Sequence, residues 1–496
     1  MAQDITRTLT SRSDLTLQTV LAVAWRGEPL HLDEAALDRI AERRAAFLAY
    51  IEADPDASVY GVNQGQGEMI GLAMTPEERL RLARMKPLAA AVPFGTPYPE
   101  RVVRTMLLAR FANLLEGHAM GTPRLAQEIA GMLNDRRYPP VGQQGQGGPG
   151  EILALYALFS ELSERLDLEP GERGALINGS PAASALLADA ALVGARRQAM
   201  AEEVLALAIT AFNAPMEHYE AVVGDLLGGD HNRSAFARLN ALLGSQPDDV
   251  EARPYQAPVS YRITPHVLGQ AHHAVANAQD LAEQALAAVT HNPIYLMPDE
   301  HHVYGRCLST GGYHNALAAP AMDAIAGAWA DLCLICQRLC VGLLNGRASG
   351  YPDFLLSGRR IGEVDGHGAV GYLPMAIVGF MEEARNAASR TWIPAADASV
   401  FGQDDVGAPA FLAWPKTMKA GACLDACLAI LAVTASQALA VTGRARVSQA
   451  LTPLLEAVRA RVAPVTDDRV LGPELQVLAD HLTGRVFVED RYGGEP

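Results

Sequence analysis

With 496 residues the chain can bury a large core, and length alone permits about two to four domains. Forty Lys and Arg against 56 Asp and Glu give a net charge of −16 with no long basic run, which argues against a nucleic-acid partner. The opening stretch MAQDITRTLTSRSDLTLQTV is too polar for a secretory signal, and no uncharged apolar run of about 18 residues reads as a membrane span, so a cytoplasmic protein without a membrane partner is expected.

Apolar stripes at i, i+3, i+4 and i+7 predict helices over 32–53, 99–117, 151–166 and 184–212, then 268–290, 315–345, 375–389, 418–442 and 448–462. Strand-like runs are few and short. The expected fold is mainly α: a smaller N-terminal loop-rich helical region, 1–110, followed by a long helical bundle, 111–496. No internal repeat and no low-complexity linker divides it further.

The stretches between helices are unusual. VYGVNQGQGEMIG (59–71) is Gly-rich and carries Tyr60. GQQGQGGPGEI (142–152) ends in Pro149, Gly150 and Glu151, which suit a helix entry with the acid near a positive helix end. ALINGSPAAS (175–184) contributes Asn178, SYRITPHVLGQ (260–270) carries Tyr261 and Arg262, and STGGYHNALAAP (309–320) carries Tyr313 and His314. Singly, Tyr60 reads as a hydrogen-bonded core phenol, Asn178 as a helix cap, Arg262 as a surface ion-pair partner and His314 as a satisfied core histidine. A set of such loops between long helices points to a site.

The cysteines fall at Cys333, Cys336 and Cys340, at Cys423 and Cys427, and at Cys307; the apolar flanks of both clusters read as core helices rather than a metal site. MPDEHHVYG (297–305) and GEVDGHG (362–368) bring Asp299, Glu300, His301, His302, Asp365 and His367 without helical HExxH spacing, and read as solvated loops; no metal is expected.

In order, LTLQTVLAVAWRGEPL, VYGVNQGQG, ALINGSPAASAL, YRITPHVLGQ, THNPIYL, GGYHNALA and FGQDDVG resemble the histidine/phenylalanine ammonia-lyase family over nearly the whole chain. The resemblance implies acid/base chemistry for Tyr60, an active-site Asn178, a substrate-carboxylate grip for Arg262, and Tyr313 and His314 at the pocket. It implies an active-site carboxylate in IVGFMEEA, Glu382 or, in the other register, Glu383. Gln403 falls in a subunit-contacting loop near the pocket, with Lys416 close by in sequence. A homotetramer whose sites are built from three subunits follows from the same resemblance.

Three departures stand out. Where the family carries the Ala-Ser-Gly that cyclises into a methylidene-imidazolone electrophile, this chain has Gly148, Pro149 and Gly150. Proline has neither a hydroxyl to lose as water nor a backbone N–H, so no prosthetic group or other cofactor is expected. Ala90 stands where histidine-specific members carry a pocket His, and Val259 where the family usually has Tyr, with Tyr261 two residues on as a substitute.

A quaternary ammonium needs no electrophile, because its nitrogen is already charged and has no lone pair. The pattern is similar to the electrophile-free, ergothionase-like branch of the family. The expected activity is elimination of trimethylamine from a histidine betaine, ergothioneine to thiourocanate first and hercynine second. Tyr60 would be the base, Arg262 the carboxylate clamp and Asn178 its orienting partner; Glu382 or Glu383 would hold the ring N–H. Tyr313 would face the trimethylammonium through a cation–π contact worth about 0.5–2 kcal/mol. Two other readings stay open: an electrophile-free lyase acting on a different amino acid derivative, and a catalytically dead scaffold homologue.

Overall fold

A computed structural model describes residues 6–53, 59–62, 74–85, 88–244, 256–356, 370–395, 405–443, 447–466 and 469–487. The fold is mainly α, as expected. Among the described residues the sheet content is three short pairs: Arg7–Leu9 beside Leu30–Leu32 in parallel, and Phe94–Pro97 with Gly142–Gln144 and Ile294–Leu296 with Arg306–Leu308, both antiparallel.

Most predicted helices appear close to their expected limits, among them Glu34–Ala53, Glu100–Leu115, Pro181–Phe212, Ala318–Leu344, Leu373–Ala387 and Thr452–Arg461. The stretch 151–166 is two helices, Ile152–Leu158 and Ser160–Arg165, broken at Phe159 with φ −102 and ψ 13. Ala410–Val441 begins eight residues before the predicted start and contains Pro415. The segment at 260–270, expected to lie between helices, is the opening of helix Val259–Leu286. A proline at 265 cannot donate to the carbonyl four residues earlier. That carbonyl, of Tyr261, accepts the Tyr219 hydroxyl instead at 3.0 Å, and the helix runs through.

The chain divides into two compact units. The first holds Met1–Asp189, Ala278–Pro320 and Thr391–Trp414; the second holds Ala190–Asn277, Ala321–Arg390 and Pro415–Pro496. Residue 110, near which a boundary was expected, lies inside the continuous helix Glu100–Leu115 of the first unit. That helix is buried all round from Val102 to Leu115, which is how Arg104, Arg110 and Asn113 come to lie in an interior.

In the second unit, Arg197 and Asp425 form a buried two-pronged pair, Nε to Oδ1 at 2.7 Å and Nη2 to Oδ2 at 2.9 Å. The five cysteines of the two clusters are buried free thiols, and Cys340 Sγ lies 3.2 Å from Thr434 Oγ1. Three helical stretches, Glu172–Phe212, Ala318–Leu344 and Ala410–Val441, are long and apolar enough to cross a membrane once a few charges are allowed, but their apolar windows are 94%, 61% and 83% buried inside the protein.

Candidate active site

A cavity of about 120 Å³ opens in the first unit, lined by Tyr60, residues 149–152, Ile177, Asn178, Gly179, Asn292, Ser309, Thr310 and Tyr313. Three of the loops singled out in the sequence, together with the Gly/Gln stretch, meet here.

Tyr60 reaches the cavity because its neighbours are anchored. Val59 and Val62 are buried in a cluster with Phe47, Met120 and Tyr295, and the Val62 N–H closes a turn onto the Val59 carbonyl at 3.1 Å. The half-buried Tyr60 between them lines the cavity. Tyr156, whose hydroxyl is pushed up by burial and pulled down by Arg173, lies within electrostatic reach of Tyr60.

One wall is Pro149-Gly150-Glu151-Ile152. Gly150 has φ +60, and a Cβ there would meet Tyr313 Cδ2 at 3.1 Å, so a residue without a side chain lets the aromatic ring close on the backbone. A second stretch of the lining is Ile177-Asn178-Gly179. Asn178 follows the short helix Glu172–Ile177 in extended geometry and donates from Nδ2 to the Asn292 carbonyl at 2.7 Å. Gly179, at φ +112, leaves room for Asn113 Nδ2 and Thr290 Oγ1, each 2.9 Å from where a Cβ would sit.

Glu151 is fully buried. It precedes helix Ile152–Leu158, yet its side chain does not cap that helix. Its oxygens accept from the backbone N–H groups of Ala182, at 2.5 Å, and Ala183, at 2.6 Å, in the first turn of Pro181–Phe212. The expected pairing of this acid with a positive helix end is realised on a different helix. Burial pushes its carboxyl up to about 8, against the pull of those two N–H groups and of Arg110. Arg110, wholly buried, donates from Nη1 to the carbonyls of Ala175 and Asn178 at 2.8 and 2.5 Å, and burial lowers it to about 10. Burial and Arg110 together hold His291 down near 3, so its ring stays neutral.

The other expected site residues fall elsewhere. His314 is tied through Nε2 to the Gly407 carbonyl at 2.9 Å and is outside the cavity lining. Arg262, in the second unit, donates from Nε to the Ala257 carbonyl at 3.0 Å. Tyr261 is fully buried in the second unit, where its hydroxyl donates to the Leu339 carbonyl at 2.8 Å and its ring stacks on Phe212. Glu382 and Glu383 lie exposed on Leu373–Ala387; Glu382 pairs with Arg385 at 2.6 Å, and Glu383 pairs with Lys419 and approaches Cys423 Sγ at 4.0 Å. Lys416 donates to the Ser389 carbonyl and stands 3.7 Å from Asp323. Gln403, Asp365 and His367 lie outside the described residues.

Sequence reasoning missed Asn292, Ser309 and Thr310 as lining residues. Asn292 Oδ1 accepts the Thr310 N–H at 2.8 Å and the Ser309 hydroxyl at 3.3 Å, which ties together two of the lining segments. The THNPIYL and STGGYHN motifs contain all three, but the cross-link between them is not a sequence signal.

This chain belongs to the aromatic amino acid lyase family, whose sequence profile matches residues 15–162 and 152–461. Histidine ammonia-lyase of Symbiobacterium thermophilum is 29% identical over 94% of this chain and 94% of its own length. The enzyme of the same name from Streptomyces coelicolor is 29% identical over 93% of this chain and 94% of its own. Ergothionase from Treponema denticola, solved with desmethyl-ergothioneine sulfonic acid, shares the fold with a TM-score of 0.86 at 16% identity, covering 98% of this chain and 100% of that one. Phenylalanine aminomutase from Pantoea agglomerans also superposes with a TM-score of 0.86, at 17% identity over 97% and 100%.

The residues at 148–150 do not fit the family's cyclised tripeptide. Pro149 lines the cavity at the middle position, where cyclisation needs a hydroxyl to leave as water, and its ring nitrogen carries no proton.

Proposed function

We propose that this protein is a carbon–nitrogen lyase that eliminates trimethylamine from a histidine betaine, ergothioneine first, without a methylidene-imidazolone. The observation carrying the reading is Pro149 lining the same cavity as Tyr60, Asn178 and Tyr313. The groups for proton removal and substrate orientation are kept, while the electrophile cannot form. The histidine ammonia-lyases among its relatives deaminate, by their name, a substrate whose leaving nitrogen is not permanently charged; that route lacks its electrophile here.

In the proposed step the Tyr60 phenolate takes the β-proton. The electrons of that C–H bond form the Cα–Cβ double bond, and the Cα–N bond breaks with its pair going to nitrogen. The permanently charged ammonium leaves as neutral trimethylamine. Tyr60 is left as the phenol, returned to the phenolate by solvent. Tyr313 faces the cation before it departs, and Asn178 and Arg262 orient the carboxylate.

We infer a homotetramer with shared sites. On Leu373–Ala387, Met375, Val378 and Glu382 fall on one face by their spacing, with Tyr372 just before it, and the three apolar members are exposed. An apolar stripe left bare on a soluble chain marks a docking face. Glu382 shares this exposed face, which favours it over Glu383 as the carboxylate presented to a neighbouring subunit's pocket.

The test is incubation of purified protein with ergothioneine, following trimethylamine and the ultraviolet absorbance of the conjugated product. Wild type should release trimethylamine, and Tyr60→Phe should be slower by about 10²- to 10⁴-fold. Equal rates would remove Tyr60 from the mechanism.

A further inference from the structure

We propose that Glu151 is a positioning residue: its carboxyl group ties two lining segments of the cavity together and thereby sets where Asn178 stands. The inference rests on the reading of this cavity as the reacting site.

The backbone of Glu151 belongs to the first wall, between Gly150 and Ile152. Its side chain belongs to the second, since both oxygens are held by Ala182 and Ala183, whose helix starts three residues after Asn178. A single wholly buried residue therefore links two lining segments across 31 positions of sequence.

The first turn of the long helix takes its acceptor from Glu151 and not from its own N-cap side chain. Ser180 occupies its N-cap position, a residue type that ordinarily supplies the cap. Here the Ser180 hydroxyl points to the Gly312 carbonyl at 3.4 Å, and its own N–H is taken by Thr290 Oγ1 at 2.9 Å. The helix donors are thus left for a residue from another lining segment.

Arg110 completes the frame by donating to the carbonyls of Ala175 and Asn178, while Asn178 Nδ2 is held by the Asn292 carbonyl. Asn178 is fixed at its backbone, its side chain and the helix that follows it. Glu151 is the member of the frame that sets its distance from Pro149 and Gly150. Aspartate would fall one methylene short of the two N–H groups. Glutamine would turn an NH₂ toward one of them.

The test compares Glu151→Gln, Asn178→Ala and the double variant with ergothioneine as probe, beside hydrogen exchange of the 175–185 backbone. Glu151→Gln should lower kcat/KM about 10- to 100-fold, the scale of a misplaced binding group. In the Asn178→Ala background it should lower it no further, and amides at 178–183 should exchange faster while distant helices are unchanged. If the two losses multiply, or if exchange at 178–183 matches wild type, the proposal is overturned. Should Glu151→Gln not fold, Glu151→Asp is read by the same two measurements. The exchange experiment needs no turnover, so an inactive wild type would sink the functional reading while the tie is still judged on its own.

Discussion

Asn178 and Glu382 are both site residues implied by one family resemblance, yet their surroundings are opposite. Asn178 sits half-buried in a cavity wall, its amide bonded to a backbone carbonyl and its own carbonyl gripped by a buried arginine. Glu382 is more than half exposed and paired with Arg385 one turn away. An exposed pair of that kind is worth about 0–1 kcal/mol, so it yields readily to a better partner. The first unit carries a walled cavity; the two carboxylate candidates of the second, Glu382 and Glu383, lie exposed on a helix.

The largest expected effect on this comparison comes from Arg262 in the second unit. If Arg262 completes the site by gripping the substrate carboxylate, Arg262→Lys should raise KM for ergothioneine about 10- to 100-fold by losing two-pronged recognition, with the melting temperature nearly unchanged. An unaltered KM would confine substrate binding to the first unit.

Gly150→Ala strikes the walled cavity directly. A side chain at φ +60 costs about 1–2 kcal/mol, and this one would press on the Tyr313 ring, so both the unfolding free energy and activity should fall. A fully stable, active variant would mean that the contact between Gly150 and Tyr313 is dispensable.

The buried groups of the first unit also set a pH signature. His291 is held near 3 in the folded chain against about 6.5 in an unfolded one, so its contribution is fully present above pH 6.5 and is lost as pH falls toward 3. Its part of the loss approaches about 1.4 kcal/mol per pH unit crossed. Denaturant titrations from pH 7 to 4 should show a shallower decline for His291→Gln than for wild type. Parallel declines would show that His291 does not drive the acid loss.

The smallest effect on stability is expected at the exposed carboxylates. Glu382→Gln and Glu383→Gln should each change stability by less than about 0.5 kcal/mol, while Glu382→Gln alone lowers turnover. The reverse ranking would put Glu383 in register instead.

What was legible in the sequence follows from what local pattern can carry. Helical periodicity located most long helices, and the loop motifs brought Tyr60, Asn178, Tyr313 and the 149–150 turn to one cavity. Helix Val259–Leu286 runs through Pro265, and the Tyr261 carbonyl that the proline cannot serve takes its hydrogen bond from Tyr219, 42 residues away, which no local pattern shows. Tyr261 was expected to stand in for the Tyr missing at Val259; its phenol is held by the Leu339 carbonyl in the core, a partner 78 residues away that no local pattern shows. Glu151 was legible as an acid near a helix start, and only the fold could say which helix. The bonds of Asn292 to Ser309 and Thr310 likewise join segments whose meeting no periodicity encodes.

The central claim is that the leaving nitrogen is permanently charged. The most direct measurement is the identity of the amine released when purified protein meets ergothioneine and unmethylated histidine in parallel. The account predicts trimethylamine from ergothioneine and no ammonia from histidine. Ammonia from histidine, with ergothioneine untouched, would contradict it.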